Sequence, residues 1–253
     1  MKLNNMTKHL PVFLIFIFTI LGCASTETVE STKVAPNEIY QDYSIQSSKN
    51  STRITATFRV GGSRGSTIDL DAPSKIDYNG VPMTESSAGF LKGTTYNSNL
   101  KEFLSQHKFS FTDATGKVWQ NDINLDALEI NSKDVAISIA NGGTITLSRP
   151  VGKDEEIEFL LVSEKTPPPS QGNSNANDKN RSVEPVYSNT LKVDLDGNRT
   201  TAKIEPSSLK YFVDGKANLS VTVKKTKQTQ QSAKGGQMDF SYESQKVSAN
   251  VAN

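Results

Sequence analysis

The sequence predicts an all-β protein built from two tandem β-sandwich domains, and three observations lead to this fold class. Many short segments alternate apolar and polar residues. In residues 53–60, for example, Ile54, Ala56 and Phe58 share one face, and Arg53 and Thr55 lie on the opposite, polar face. Glycine- and asparagine-rich turns separate these segments at short intervals. No long segment spaces its apolar residues as a helix does. Short strands punctuated by turns are typical of β-sandwiches.

The first half of the chain supplies strands up to about residue 130. Turns are expected at 61–65, at Asn79-Gly80 and at 113–116, and Pro82 argues against simple ladder pairing at its position. A single helical turn is predicted within residues 99–106 from the spacing of Leu100, Phe103 and Leu104. The predicted strands contain residues 53–60, 68–70, 76–78, 109–111 and 118–119.

The pattern restarts after residue 131. Residues 165–185 contain three consecutive prolines and a polar run, so they predict a disordered loop. Residues 224–236 predict a polar hairpin loop. The predicted strands contain residues 135–139, 145–147, 157–162, 191–195, 219–223, 240–242 and 247–251.

The preferred domain division gives sandwiches at 39–131 and 132–253, both of ordinary domain size. A division at the polar run 165–184 is the alternative. It would leave fewer than about 70 residues without a disulfide for the last domain, which is marginal for a stable fold.

Residues 215–221, Gly-Lys-Ala-Asn-Leu-Ser-Val, resemble the corner before a late strand in immunoglobulin-like and fibronectin type III-like domains. Leu219 stands where that corner has a tyrosine, so the resemblance implies the immunoglobulin-like topology and nothing about function.

The N-terminal 22 residues have the organisation of an export signal. Lys2 and Lys8 precede an almost wholly apolar run at 10–21, which is too short for a membrane span of about 20 residues. The run ends in Ile-Leu-Gly-Cys at residues 20–23, which resembles the lipobox of bacterial lipoproteins. An uncleaved anchor and an ordinary secretory signal are the alternatives.

The lipobox resemblance implies cleavage between Gly22 and Cys23 and a diacylglyceryl thioether on the Cys23 thiol. It therefore implies attachment to a membrane through the N-terminal lipid, in the bacterial envelope. Ala24 after the cysteine implies the outer membrane, with the protein facing either the periplasm or the outside. Residues 23–38 are expected to form a flexible tether.

Composition argues against several partner classes. Loss of Lys2 and Lys8 would lower Lys+Arg from 28 to 26, against 27 Asp+Glu, so no nucleic-acid partner is expected. Cys23 is the only cysteine, so no disulfide is available within the chain. Hydrophobic content of 35% favours thin sandwiches.

Catalysis and cofactor binding have little support. Only His107 would remain as a histidine after cleavage, and it is expected to be exposed or capping. The residues for a zinc site or a phosphate loop are lacking, and residues 194–198 are better explained as a hairpin turn than as a calcium loop. No enzyme activity, cofactor or metal is predicted. A hydrolase that uses His107 is the weakest alternative.

Trp119 is the one candidate ligand-binding side chain. With Tyr78 and Tyr96 it could form a stacking platform for a sugar ring, but filling a sandwich core is the preferred interpretation. The leading hypothesis is a non-enzymatic binding or scaffolding lipoprotein that meets an envelope protein or glycan. The second is a carbohydrate-binding accessory protein of a glycan uptake system.

Overall fold

The structure is a computed structural model that describes residues 28–87, 93–166, 185–232 and 234–253. The predicted signal peptide, its cleavage site at Gly22, the lipidation site Cys23 and most of the predicted loop 165–185 lie outside these ranges. Within them, no helix has the length and apolar character to cross a membrane.

The described residues form nineteen strands and three short 3₁₀ helices, which confirms the all-β class. The 3₁₀ helices are Ser31–Lys33, Pro36–Glu38 and Pro206–Ser208. The strands of the first half are β1 (Val29–Glu30), β2 (Ile39–Ser48), β3 (Ser51–Val60), β4 (Ser66–Asp69), β5 (Lys75–Tyr78), β6 (Val81–Pro82), β7 (Thr84–Ser87), β8 (Thr94–Leu100), β9 (Gln106–Thr112) and β10 (Val118–Asn124). Those of the second half are β11 (Asp134–Ser138), β12 (Gly142–Thr146), β13 (Glu155–Ser163), β14 (Ser188–Leu191), β15 (Val193–Leu195), β16 (Thr201–Ile204), β17 (Gly215–Gln228), β18 (Gly236–Glu243) and β19 (Val247–Ala252).

The first sandwich opposes two sheets. One has the order β7-β8-β3-β2-β18, and the other has the order β10-β9-β5-β6. Aromatic rings fill the space between them: Tyr43 stacks on Phe109 at 4.3 Å between ring centroids, and Phe58 lies 4.4 Å from Phe111. Pro82 pairs only in the two-residue edge strand β6, where a missing N–H is tolerated.

The second sandwich is a sheet rolled on itself, with the order β14-β13-β17-β19-β11-β12-β16-β15. Its two outermost strands, β14 and β15, are separated in the chain by Lys192 alone. The single strand predicted over 191–195 is therefore divided at Lys192, where the chain passes from one edge of this sheet to the other. The pairing β12-β16-β15 corresponds to strands B, E and D of an immunoglobulin-like sandwich, and β13-β17-β19 to strands C, F and G.

The sheet continues across the predicted boundary at 131/132, because β18 pairs in parallel with β2 over eight residue pairs. Strand β17 reaches Gln228 and β18 begins at Gly236, so the loop predicted over 224–236 is wrong at both ends. Residues 224–228 alternate in burial and pair with β18, which stabilises them as strand. The C-terminal hairpin thus carries a strand of the first sandwich.

Two further expectations need correction. The predicted tether 23–38 is not free over 28–38, because β1 pairs with β4 and the Ser31 and Val34 side chains are buried. The helical turn predicted within 99–106 is absent from these described residues. The apolar spacing there has a tertiary origin, since Phe103 packs edge-on against Tyr242 at 4.8 Å between ring centroids.

Candidate functional site

The outer face of the sheet β7-β8-β3-β2-β18 is polar, because the inward residues of each strand are taken by the core. Residues that pair directly across strands share a face, so the strand registers align these side chains into rows. One row runs Thr84, Asn97, Thr55, Ser44 and Asp239. The next row runs Asn99, Arg53, Gln46 and Ser241.

A depression of about 910 Å³ lies over the β7-β8-β3 end of this face. Its polar lining is Arg53, Thr55, Thr84, Glu85, Ser86, Thr95, Asn97, Ser98 and Asn99. Val81, which is 64% exposed, and Pro82 form its apolar flank. Such a mixture offers hydrogen-bond donors and acceptors beside a small apolar surface, which suits a ligand with many hydroxyl groups.

The depression is partly organised by its own hydrogen bonds. The Thr55 hydroxyl donates to the Asn97 amide oxygen at 3.0 Å, and the Asn97 amide nitrogen donates to the Thr95 hydroxyl at 3.2 Å. Arg53 and Asn99 face each other at its rim, and both are exposed. A second depression of about 350 Å³ shares these two residues and extends to Glu243 on β18. The polar surface therefore continues along the strands.

The lysine-rich run after residue 223 is neutralised by acidic residues from separate elements. Lys224 lies 2.8 Å from Glu158, and Lys225 lies 3.0 Å from Asp154. Lys234 lies 3.3 Å from Glu38. The pKa of the Glu158 carboxyl is lowered, first by its hydrogen bond from Lys224. The run is thus an ion-paired surface.

His107 is fully buried, which makes the expectation of an exposed or capping histidine wrong. Its Nε2 lies 2.9 Å from the Leu104 carbonyl oxygen, which can only accept, so Nε2 carries the proton. Its Nδ1 then accepts from the Tyr78 hydroxyl at 2.8 Å. Burial lowers the pKa of His107 to about 4. Both ring nitrogens are engaged in the core, away from the polar face.

Trp119 is half-buried and packs against the core, so it fills the core only in part. Its Nε1 donates to Asp113 at 2.9 Å, and the Lys117 ammonium lies 3.6 Å from its ring centroid. Burial alone would raise the pKa of Asp113, but the hydrogen bonds from Thr115, Trp119 and Lys117 together outweigh it, so the pKa is lowered. Trp119 therefore has structural partners on its edge and on one ring face.

The platform of Trp119 with Tyr78 and Tyr96 is not assembled. Tyr78 and Tyr96 are both buried, the first beside His107, and the second donates to Asp69 at 3.2 Å. The hairpin turn predicted at 194–198 is confirmed, because β15 and β16 pair across it and Asp196 accepts from the Thr200 backbone nitrogen. In the part of the chain that the structure describes, no three His, Cys, Asp or Glu residues are grouped to hold a metal ion.

Sequence reasoning missed the polar depression, since residues 84–99 show little alternation and Asn97 and Asn99 carry no motif. The available signal was indirect. Arg53 and Thr55 were predicted on the polar face of a strand, but only the pairing of β3 with β8 places the two asparagines beside them.

No protein-family model matches the sequence, and no curated protein matches it. Among solved structures, a Bacteroides ovatus protein aligns with a TM-score of 0.21 and 8% identity. It is described as SGBP-B of a mixed-linkage glucan utilization locus, in complex with a mixed-linkage heptasaccharide. The alignment covers 80% of this chain and 53% of that one, so the chain spans about half of that protein's length.

Proposed function

We propose that this chain is a lipid-anchored, non-catalytic binding protein of the bacterial envelope that binds through the outer face of the sheet β7-β8-β3-β2-β18. The observation that carries the proposal is the open polar face itself, with its depression over β7, β8 and β3. Five strands support this face, and β18 holds it to the second sandwich. A surface supported in this way keeps its side chains in place for binding.

Anchoring is the first part of the proposal, and it follows from the lipobox at residues 20–23. One acyl chain binds a membrane only marginally, so durable attachment requires the two or more chains that lipoprotein processing supplies. The acylated residue would be Cys23. A location on the outer membrane is proposed from Ala24.

Anchoring is tested by expressing the wild type and Cys23→Ser and following detergent-phase partition and incorporation of a labelled fatty acid. We expect wild type in the membrane and detergent fractions with label, and Cys23→Ser without label. Ser25→Ala is the matched control and should behave as wild type. An unlabelled wild-type protein, or a labelled Cys23→Ser variant, would refute the anchor.

A glycan is the ligand class favoured by the depression. Its lining consists of amide, hydroxyl, guanidinium and carboxylate groups, which together donate to and accept from sugar hydroxyls. Val81 and Pro82 offer the apolar contact that the C–H face of a sugar ring requires. A role as an accessory protein in glycan uptake is a further proposal that follows from this ligand class and from the anchor.

The glycan proposal is tested by affinity electrophoresis of the full-length protein, purified in detergent, through gels containing individual soluble polysaccharides. We expect retardation by at least one glycan and loss of retardation in Asn97→Ala and Asn99→Ala. Asn250→Ala, an exposed asparagine on β19, is the matched control and should be retarded as wild type. Retardation by none of the polysaccharides would remove the glycan proposal while leaving the anchor intact.

A further inference from the structure

Two depressions on the polar sheet face meet at the same pair of side chains. The larger, of about 910 Å³, lies over β7, β8 and β3, and the smaller, of about 350 Å³, extends over the β2–β3 hairpin to β18. Arg53 and Asn99 line both of them, and these two residues pair directly across β3 and β8. The two depressions are therefore adjoining parts of one groove, which runs from Thr84 on β7 to Glu243 on β18.

Three large polar side chains at the centre of this groove are open to a ligand. Gln46 pairs with Arg53 on the side away from Asn99, so the three lie in one row across β8, β3 and β2. All three are exposed, and none of them forms a hydrogen bond or an ion pair with a described residue. One guanidinium and two carboxamides can both donate to and accept from hydroxyl groups. Their capacity is therefore available to a ligand that comes from solvent.

The groove is long enough for several sugar units. Thr84 shares a row with Asp239, which lies four strands away and four residues before Glu243. Strand spacings of about 4.8 Å and a rise of about 3.4 Å per residue give a diagonal of about 23 Å between Thr84 and Glu243. One pyranose unit advances a linear glycan by about one strand spacing, so about five units fit along the groove.

The side chains of the groove favour a neutral chain over a single sugar or a polyanion. Among the described residues that line it, none is aromatic, so stacking cannot hold one isolated sugar ring. Each hydrogen bond from an exposed side chain contributes only modestly to binding, so several must act together along a chain. The same lining residues include Arg53 as their single cation beside Glu85 and Glu243, so they hold no positive excess to attract a polyanion.

We propose that the two depressions form one continuous site for a neutral glycan chain of about five sugar units. Arg53 and Asn99 lie at its centre. Asn97 belongs to the first half, over β7, β8 and β3, and Gln46 and Glu243 belong to the second half. The proposal rests on the proposed glycan-binding function and adds the length and charge of the ligand. A short oligosaccharide occupies the larger first half, and only a longer one reaches both halves.

The test is isothermal titration of the full-length protein in detergent with linear trisaccharides and hexasaccharides of glucose, xylose and mannose, and with a hexuronic acid hexasaccharide. We expect at least one neutral hexasaccharide to bind, at least about tenfold more tightly than its trisaccharide, because the second half adds one or two hydrogen bonds. The acidic hexasaccharide should not bind. A neutral hexasaccharide that binds no more tightly than its trisaccharide, or a preference for the acidic chain, would overturn the proposed site.

Variants separate the two halves of the site. Gln46→Ala and Glu243→Gln should each weaken hexasaccharide binding by about fivefold and leave trisaccharide binding unchanged, whereas Asn97→Ala should weaken both. Gln106→Ala, an exposed glutamine on β9 of the other sheet, is the matched control and should bind as wild type. Thermal unfolding of every variant verifies the fold.

Two results separate this proposal from glycan binding itself. Unchanged hexasaccharide binding by folded Gln46→Ala and Glu243→Gln, with loss in Asn97→Ala, would overturn the second half and leave glycan binding in place. Retardation of the wild type by a polysaccharide gel without binding of any hexasaccharide would also overturn this site alone. Absence of both retardation and hexasaccharide binding would overturn the site and the glycan-binding function together.

Discussion

The buried His107 predicts that this protein loses stability as the pH falls below about 6.5. The folded state lowers the pKa of His107 from 6.5 to about 4 through burial. Between these two values the unfolded chain binds a proton that the folded chain does not. Protonation therefore favours unfolding, and the stability present at pH 7 declines through this window.

The size of the effect follows from the two pKa values. A shift of one unit corresponds to about 1.4 kcal/mol, and linkage integrated from pH 7 gives a loss of about 2 kcal/mol by pH 5 and about 3 kcal/mol by pH 4. For a domain whose total stability is about 5–15 kcal/mol, such a loss is readily measured.

The assay is urea unfolding at pH 7, 6, 5 and 4 for the wild type and for His107→Gln. Glutamine keeps a donor and an acceptor but does not titrate. The His107→Gln variant will be less stable than wild type at pH 7, because the contact of the imidazole with Phe240, at 4.4 Å between ring centroids, is lost. The stability of the variant should nevertheless decline less towards pH 4. The difference between the two slopes isolates His107 from carboxylates that titrate in both proteins. Equal slopes would refute the reasoning.

Three other perturbations test the fold by urea or thermal unfolding. Gly142→Ala should lower the free energy of unfolding by at least about 2 kcal/mol, because φ is +78° and a Cβ would lie 2.0 Å from the Ile204 carbonyl oxygen. Gly197→Ala is the control, since its Cβ would lie in open space, and it should change stability by less than about 0.5 kcal/mol. Equal effects of the two substitutions would contradict the assigned backbone. Phe240→Ala should cost about 3–5 kcal/mol of stability, and the two sandwiches should still unfold in one common transition. Tyr211→Ala, at an exposed ring, is the control and should cost less than about 1 kcal/mol. Two separate transitions would show that β18 does not couple the two sandwiches. Asn121→Ala should cost about 1–3 kcal/mol, because the buried Asn121 amide hydrogen-bonds the Gln41 side chain on β2 and the Gln231 backbone in the β17–β18 loop. An unchanged unfolding midpoint would argue against docking of that loop.

Parts of the candidate surface were readable from local pattern. Arg53 and Thr55 were assigned to the polar face of a strand, because alternation decides the two faces whatever the strand pairs with. The Asn97 and Asn99 side chains could not be assigned, since their contribution depends on β8 pairing with β3 across more than forty residues.

The expectation for His107 was wrong, and that for Trp119 holds in part. Flanking polar residues predicted an exposed His107, yet alternation in β9 points every second side chain inward and Tyr78 supplies the hydrogen bond that burial requires. Trp119 was expected to fill a sandwich core. It packs against the core with part of its ring, and its indole nitrogen donates to Asp113.

The sequence by itself determined the all-β class, most strand positions and the turns at Asn79-Gly80 and 113–116, because period-two alternation and turn chemistry are local. Residues 20–23 resemble a lipobox, and lipidation of Cys23 stays a prediction from the chain alone. Only the tertiary structure decided that β18 joins β2, that residues 28–38 pack on the fold and that the polar rows align. These features depend on pairings between distant segments. Backbone hydrogen bonds between strands are the same for any side chains, so the local sequence pattern does not determine which strands pair or in which register.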